Sequence, residues 1–476
     1  MKKQVFGYIL IMLAFLVCAV VFTGATGDWF VNDSSNVLPQ FFDGVYAVGK
    51  DGTERLSRDK VFALSAGGLY PLGAADSSGG GGLRYDDGVI AVRDDHVKVG
   101  LAYYYSSSRD SSLDSASLSN ASGQGFLVGN YDVDGVFTEI LTAASSDLIL
   151  KAAPGNTVEL YSGGSLLLSY DSTGRDNYLV VRALSSEDEE APLTIFSQRK
   201  YYGDFCFAVL GNGKLTVVNN VDLEHYVMGV CACEMVESWP VEALKAQAVA
   251  ARTYAQKMLR NSVYYYTCGF DVTDDTYCQA YLGHTNVGNH ITEAAISTEN
   301  QYLTYNGNLI DALYSAADGG ATESNFNVFG NNSHPYLVGI VDPYEISATE
   351  NPYLDWEVTM TPTALGNKVG IGPVKDAVLT YSDVGNVIKI ELISESGQSA
   401  VLIRDSCRTV LGLKNIRFGV EKDDYGNFVF NGSGFGHNLG MSQWGAYAMA
   451  KHFGKDYKDI LGFYYTGVGL SYGEIQ

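Results

Sequence analysis

Charge is scarce in this chain, and positive charge scarcest. Lys and Arg number 31 against 54 Asp and Glu, a net charge of −23. Together they make up only 18% of 476 residues, where about 25% is usual. So acidic a chain repels nucleic-acid phosphates, which excludes a nucleic-acid binder. Cysteine is also scarce: Cys18 apart, six remain, Cys206, Cys231, Cys233, Cys268, Cys278 and Cys407. Six in so long a chain are not a disulfide scaffold, and both disulfides and buried thiols stay open as readings. Disorder along the whole length is excluded, because 46% of the residues are hydrophobic. Long apolar runs are few. The 18-residue stretch Val5–Phe22, preceded by Lys2 and Lys3 and followed by Thr23-Gly24-Ala25-Thr26-Gly27, is the one long enough to matter. It predicts a signal peptide or signal-anchor over residues 1–27. Either form places the rest of the chain outside the cytoplasmic membrane, secreted or anchored at its outer face. Leu16-Val17 before Cys18 argue against lipidation.

What is abundant is glycine (53) and tyrosine (33), a composition of turn-rich β structure and aromatic surfaces. Ser77–Gly82 reads as a linker. Short strands are predicted at 88–92, 96–101, 148–150, 158–160 and 166–168, with Pro154-Gly155-Asn156 as a turn. Ser185–Glu190 is an acidic connector. The expected division is therefore a β-rich N-terminal region, 28–195, and a second domain, 196–476. Tyr103-Tyr104-Tyr105 makes glycan binding a candidate role for the first, against the ordinary packing of strand aromatics.

The second region carries the chemistry. Residues 213–219 read as a strand. Ser238-Trp239-Pro240-Val241-Glu242 has helix-opening chemistry, with Ser238 as cap, Pro240 in the first turn and an acid at the positive end. Leu244, Ala248, Ala251, Ala255 and Leu259 then form one apolar stripe of small residues, so that another backbone can approach closely. Gln247 and Arg252 lie off that stripe. Further on, Gly432–Ala446 lacks the third glycine of a dinucleotide fingerprint, which is Leu439, and lacks the lysine of a phosphate loop. What remains is a glycine-rich loop presenting His437 and running into a helix at about 441–453, with another at 457–464.

These segments resemble the SpoIID/LytB family, named for a sporulation cell-wall hydrolase and an amidase modifier. The matches are Glu234-Met235, Trp239-Pro240, Glu242 to Ala255, and Gly436-His437 with Gly440 to Ala446. Asp271-Val272-Thr273-Asp274, Cys278 to Gly283, Tyr314-Ser315, Gly319 to Glu323, Pro335-Tyr336-Leu337 and Tyr464 to Gly467 match as well. The resemblance covers about 204–470. It implies an α+β fold, with a SpoIID-like catalytic domain following a β-rich N-terminal region. It also implies a peptidoglycan lytic transglycosylase that cuts peptide-free glycan strands and leaves 1,6-anhydro-muramic ends. The family's catalytic acid falls on Glu234. Val236 replaces a proline found in many members, a departure that touches the turn more than the acid.

Hydrolysis uses two carboxylates, whereas a lytic transglycosylase needs one, because the muramic C6 hydroxyl is the nucleophile. Cys231, Ala232, Cys233, Met235 and Trp239 surround Glu234 in sequence and solvate an anion poorly, so desolvation is expected to keep it protonated. The bland alternative is a carboxylate stabilising the next helix. Candidate substrate contacts are His437, Gln443, Ser442, Tyr314, Ser315 and Arg252. Each has its own bland reading: a loop histidine satisfied by backbone, a helix cap, core packing, or a structural charge. No cofactor is required. Some family members hold zinc through a His and two Cys. Cys278 matches the second Cys and Thr273 stands at the first, and a site from Cys231, Cys233, Cys268 and Cys278 is the remaining option. The rival function is a non-catalytic wall-binding protein or an amidase modifier, with a cell-wall amidase as partner. A thiol hydrolase built on Cys233 or Cys278 lacks a nucleophile motif.

Overall fold

The structure, a computed structural model, describes residues 96–475 apart from 133, 174–175, 186–191 and 332, together with strands at 29–32, 45–49, 52–55, 63–65, 68–70 and 84–92. The expected signal segment, the Ser77–Gly82 linker and all but the first residue of the acidic connector lie outside the described residues. Among the described residues no helix is long and apolar enough to cross a membrane.

The chain divides into two units. One, residues 1–78 with 325–335, contains an antiparallel sheet of Trp29–Asn32, Val45–Gly49 and Gly52–Arg55, and a hairpin of Ala63–Ser65 and Gly68–Tyr70. The other, residues 79–324 with 336–476, is an α+β fold and holds every candidate site residue.

The division expected near residue 195 is not where the chain divides. A seven-stranded sheet runs in the order 137–143, 126–131, 179–183, 204–210, 214–222, 96–102, 272–273, taking strands from both sides of that position. Leu179, Val180 and Val181 pair directly with Phe207, Cys206 and Phe205, and residues 217–222 pair with 96–102. A six-stranded sheet, 165–171, 157–162, 147–153, 115–120, 194–196, 199–201, packs against it. Alternation decides which face meets which. Leu148, Leu150, Val158 and Leu160 point inward and are at most 1% exposed, while Ile149 faces out; Leu166 and Leu167 are both exposed on the edge strand 165–171.

The strand 214–222 delivers the chain directly into helix α1, Leu223–Glu234. Asp222 is its cap, accepting from the Glu224 and His225 amides. Helix α2, Val241–Met258, follows. Its cap is Pro240, not Ser238: the Pro240 carbonyl accepts from the Ala243 and Leu244 amides, and no side chain caps the end. The predicted stripe is fully buried, from Leu244 at 0% to Leu259 at 1%. Around α2 pack α1, helices 289–297, 443–453 and 457–464, and strand 301–305. Alanine supplies both high helix propensity and the short side chains this crowding needs. Residues 356–430 carry a separate apolar cluster, from Trp356 through Ile390 and Cys407 to Phe430, beneath two three-stranded sheets.

Candidate active site

Glu234 is the last residue of α1. At Met235 the chain turns extended (φ −129°, ψ 159°) and the helix stops. A turn closed by the Trp239 amide on the Val236 carbonyl (2.9 Å) leads into α2, so Val236 makes it without proline. Glu234 thus sits at the negative end of its own helix, where a charged carboxylate is disfavoured. This is the opposite of the bland reading, in which it supports the positive end of the next helix.

Three groups reach the carboxyl. Gln443 Nε2 donates to Oε2 at 3.1 Å, and the Ala280 amide donates to Oε1 at 3.2 Å. The Tyr314 hydroxyl, which accepts from Gln279 Nε2 at 2.9 Å, lies close enough to the same carboxyl to lower its pKa. Burial raises the Glu234 pKa above the ordinary glutamate value, and Gln443, Ala280 and Tyr314 only partly oppose it. No carboxylate is among the groups that set this balance.

Gln443 opens the helix 443–453, and Ser442 before it is the cap, accepting from the Gly445 amide at 3.0 Å. The Ser442 hydroxyl donates to buried Glu345, and the residue is 1% exposed. The substrate contact expected of Ser442 is therefore corrected to a cap. Gln443 also approaches Gln247 Oε1 at 3.4 Å, so the off-stripe glutamine of α2 does face the segment beside the acid.

Tyr314-Ser315 pairs in parallel with Met441-Ser442, which brings the two motifs to one place. Above that pair runs the glycine-rich loop. Gly436 (φ 125°) has no room for a side chain, since a Cβ would lie 2.6 Å from Ser315 Cβ. Gly440 (φ 68°) is closed in by the Leu313 carbonyl at 2.0 Å. Ser315 is buried under this loop and packs there, which corrects the expectation that it lines a cleft. His437 keeps some surface. Its Nδ1 accepts from the Leu439 amide at 3.0 Å. Burial lowers its pKa to about 4, so it is neutral near pH 7.

Arg252 does not belong to the site. Its guanidinium is sealed in the core and grips Glu224 with two bonds of 2.6 Å, with the Ala295 carbonyl at 3.1 Å. No substrate reaches it. The expected Tyr103-Tyr104-Tyr105 platform is also corrected: Tyr103 is core, and Tyr105 rides on Tyr264. The aromatic surface lies elsewhere. Trp239, Trp444 and Tyr447 have ring centroids 4.8 to 5.2 Å apart and are each partly exposed. Trp239 follows Glu234 by five residues, and Trp444 adjoins Gln443. Sequence reasoning passed over Gln279, Ala280 and this cluster as site members. Ala280 acts through its backbone, which leaves no mark in residue type, whereas Gln279 stood inside a recognised motif.

Among the described residues Cys231, Cys233, Cys268 and Cys278 do not gather into one group of metal ligands. Burial raises the pKa of the Cys278 thiol, pushes Cys233 up to about 11 and raises Cys231 and Cys268. Among the described residues the group of three or more His, Cys, Asp or Glu ligand atoms within 4.8 Å of one another is Asp318, Asp342 and Glu345, with no cysteine in it.

The comparisons agree with the motifs. A family model described as stage II sporulation protein matches residues 211–305. The chain is 36% identical over 282 residues to an uncharacterised protein of Brachyspira hyodysenteriae, covering 57% of this chain and 72% of that one. It is 32% identical over 269 residues to the stage II sporulation protein D of Bacillus subtilis, covering 53% and 76%. The amidase enhancer of Bacillus subtilis is 30% identical over 298 residues, 51% of this chain and 40% of that protein. Geometry around the acid, motif order and these relatives converge: the chain belongs to the stage II sporulation protein D (SpoIID) family.

Proposed function

We propose that the protein acts on the bacterial cell wall as a lytic transglycosylase, with Glu234 as its single acid and base. The observation that carries this reading is a desolvated carboxyl at a helix C-terminus, held by hydrogen bonds from Gln443 and Ala280 with the Tyr314 hydroxyl close by, and with no second acid among the groups that set its pKa. Protonated Glu234 gives its proton to the glycosidic oxygen as the C1–O bond breaks. The C6 hydroxyl of the same muramic residue attacks C1, and the Glu234 carboxylate takes the hydroxyl proton. A 1,6-anhydro end forms without water. Desolvation holds the proton before the first step. Gln443, Ala280 and Tyr314 then receive the negative charge as it develops, which lowers the barrier rather than the ground state. Trp239, Trp444 and Tyr447 supply faces for sugar rings, and neutral His437 offers hydrogen bonding to a hydroxyl. The work takes place outside the cytoplasmic membrane, reached through Val5–Phe22 as signal peptide or anchor.

The amidase enhancer among the relatives supports a second reading, a non-catalytic partner of a wall amidase. The retained acid and its donors favour the enzyme. The full chain is incubated with peptide-free glycan strands and the products are weighed by mass spectrometry. Anhydro-muramic ends are expected, with a loss of roughly a hundredfold or more in Glu234→Gln. An inactive wild type, or an equally active Glu234→Gln, rejects the reading.

A further inference from the structure

The loop that supplies the Ala280 amide to Glu234 also builds a second cavity. The Tyr281 amide bonds the Asp274 carbonyl at 3.0 Å, closing Asp274–Tyr281 into a compact turn. That bond holds the Asp274 and Ala280 Cα atoms within about 8 Å of each other. The turn borders an open cavity of about 340 Å³, lined by Arg109, Asp110, Ser111, Asp274, Asp275 and Tyr277 among others. Tyr277 is 69% exposed, yet it is not a loose surface ring. The Arg109 guanidinium lies 3.6 Å from its centroid and covers one face. Arg109 is itself fixed by the hydroxyls of Tyr264 and Tyr103 and by Asp275. The other face of Tyr277 is therefore presented to solvent already ordered, which removes much of the entropy cost of stacking a ligand on it.

The charges select the ligand. Three carboxylates line the cavity against one guanidinium, which already bonds Tyr264, Tyr103 and Asp275. An acidic ligand meets this net negative lining, while carboxylates suit the hydroxyl groups of a neutral sugar. We propose that this cavity is a subsite for a neutral N-acetylhexosamine of the glycan strand, stacked on Tyr277 and hydrogen-bonded by Asp274 and Asp275. The carboxylate-bearing muramic residue is directed away from it. Arg109, Asp110 and Ser111 lie outside the residues 211–305 that the family model matches and Asp274, Asp275 and Tyr277 lie inside them, so the cavity joins the two stretches of chain. Burial beside Asp275 pushes the Asp274 carboxyl up to about 6, so near that pH it can donate to a sugar oxygen as well as accept.

The inference rests on the reading of the protein as one that engages glycan strands, and the test separates the two. Full-chain Glu234→Gln protein is titrated with peptide-free glycan oligosaccharides, alone and with Tyr277→Ala or Tyr277→Phe added. The subsite requires about a tenfold loss of affinity with Tyr277→Ala and near-full retention with Tyr277→Phe, which keeps the ring face. It also requires that a neutral N-acetylglucosamine oligomer compete for binding. Unchanged affinity in Tyr277→Ala, or no competition by the neutral oligomer, overturns the subsite while glycan binding by the parent stands. A parent protein that binds no glycan overturns both.

Discussion

Glu234 is a residue that weakens the fold it sits in. Its raised pKa means the folded protein holds the proton more tightly than the unfolded chain does. Folding stability from this group is present at low pH and lost as pH rises through the raised value. Glu234→Gln keeps the shape and removes the titration. The variant is therefore expected to be more stable than wild type at about pH 8 and indistinguishable at about pH 4, read from urea midpoints at both pH values. Equal midpoints at the higher pH contradict the desolvated acid. Gln443 pulls the other way, since its amide lowers the pKa of Glu234. Gln443→Ala moves the alkaline limb of the pH–rate profile upward, because the acid keeps its proton longer. It also slows turnover by about ten- to a hundredfold, the worth of one hydrogen bond to a charged group. A slower enzyme with an unshifted limb shows Gln443 to be mere scaffolding. At this scale the site was partly legible. Glu234, Gln443 and Tyr314 stood in motifs, and their types suit acid chemistry. Ser442 and Ser315 did not declare that capping and packing consume them, because sequence does not say which hydroxyls face inward.

Elements were read more surely when their cause was local. The helix 457–464 follows from its periodicity and from Asp456, which accepts from the Lys458 and Asp459 amides. The strands at 147–153, 157–162 and 165–171 follow from alternation and the Asn156 turn (φ 57°). Arg252 shows the limit of local reading. One charged residue on an alanine helix looks like a ligand for substrate, yet it meets Glu224 across 28 positions of chain. That pair joins the first turn of α1 to α2. Arg252→Met leaves the Glu224 carboxylate uncompensated and is expected to cost about 3 to 5 kcal/mol in chemical denaturation. Arg252→Lys also destabilises, because a point charge cannot replace the two-pronged bond. A Glu224→Gln/Arg252→Met double variant recovers part of the loss. Full stability of Arg252→Met alone contradicts this role.

The whole molecule is where sequence reading went furthest astray, and the reason is pairing at a distance. Residues 126–131 and 179–183 join 204–210 in one sheet, and strand 96–102 sits beside 214–222. The acidic run 185–190 reads as a boundary in the sequence, but the strands before and after it, 179–183 and 194–196, belong to the two sheets of one sandwich. Residues 96–185 of the N-terminal β region are thus part of the body that carries α1, and their truncation removes the strand partner 96–102 of the strand that leads into the acid's helix. The body holds without covalent ties: Cys206, Cys231, Cys233, Cys268, Cys278 and Cys407 are all free, and four of them are fully buried. Protein unfolded without reductant should show all six as titratable thiols, and its melting temperature should be the same with and without dithiothreitol. A reductant-sensitive melt shows a disulfide and contradicts this packing. The central claim is narrower still: one carboxyl keeps its proton where solvent would remove it. The infrared carboxyl band lost from wild type in Glu234→Gln, followed through a pH titration, isolates that group. The account predicts a midpoint above the ordinary glutamate value of 4.5. A midpoint at or below that value contradicts it.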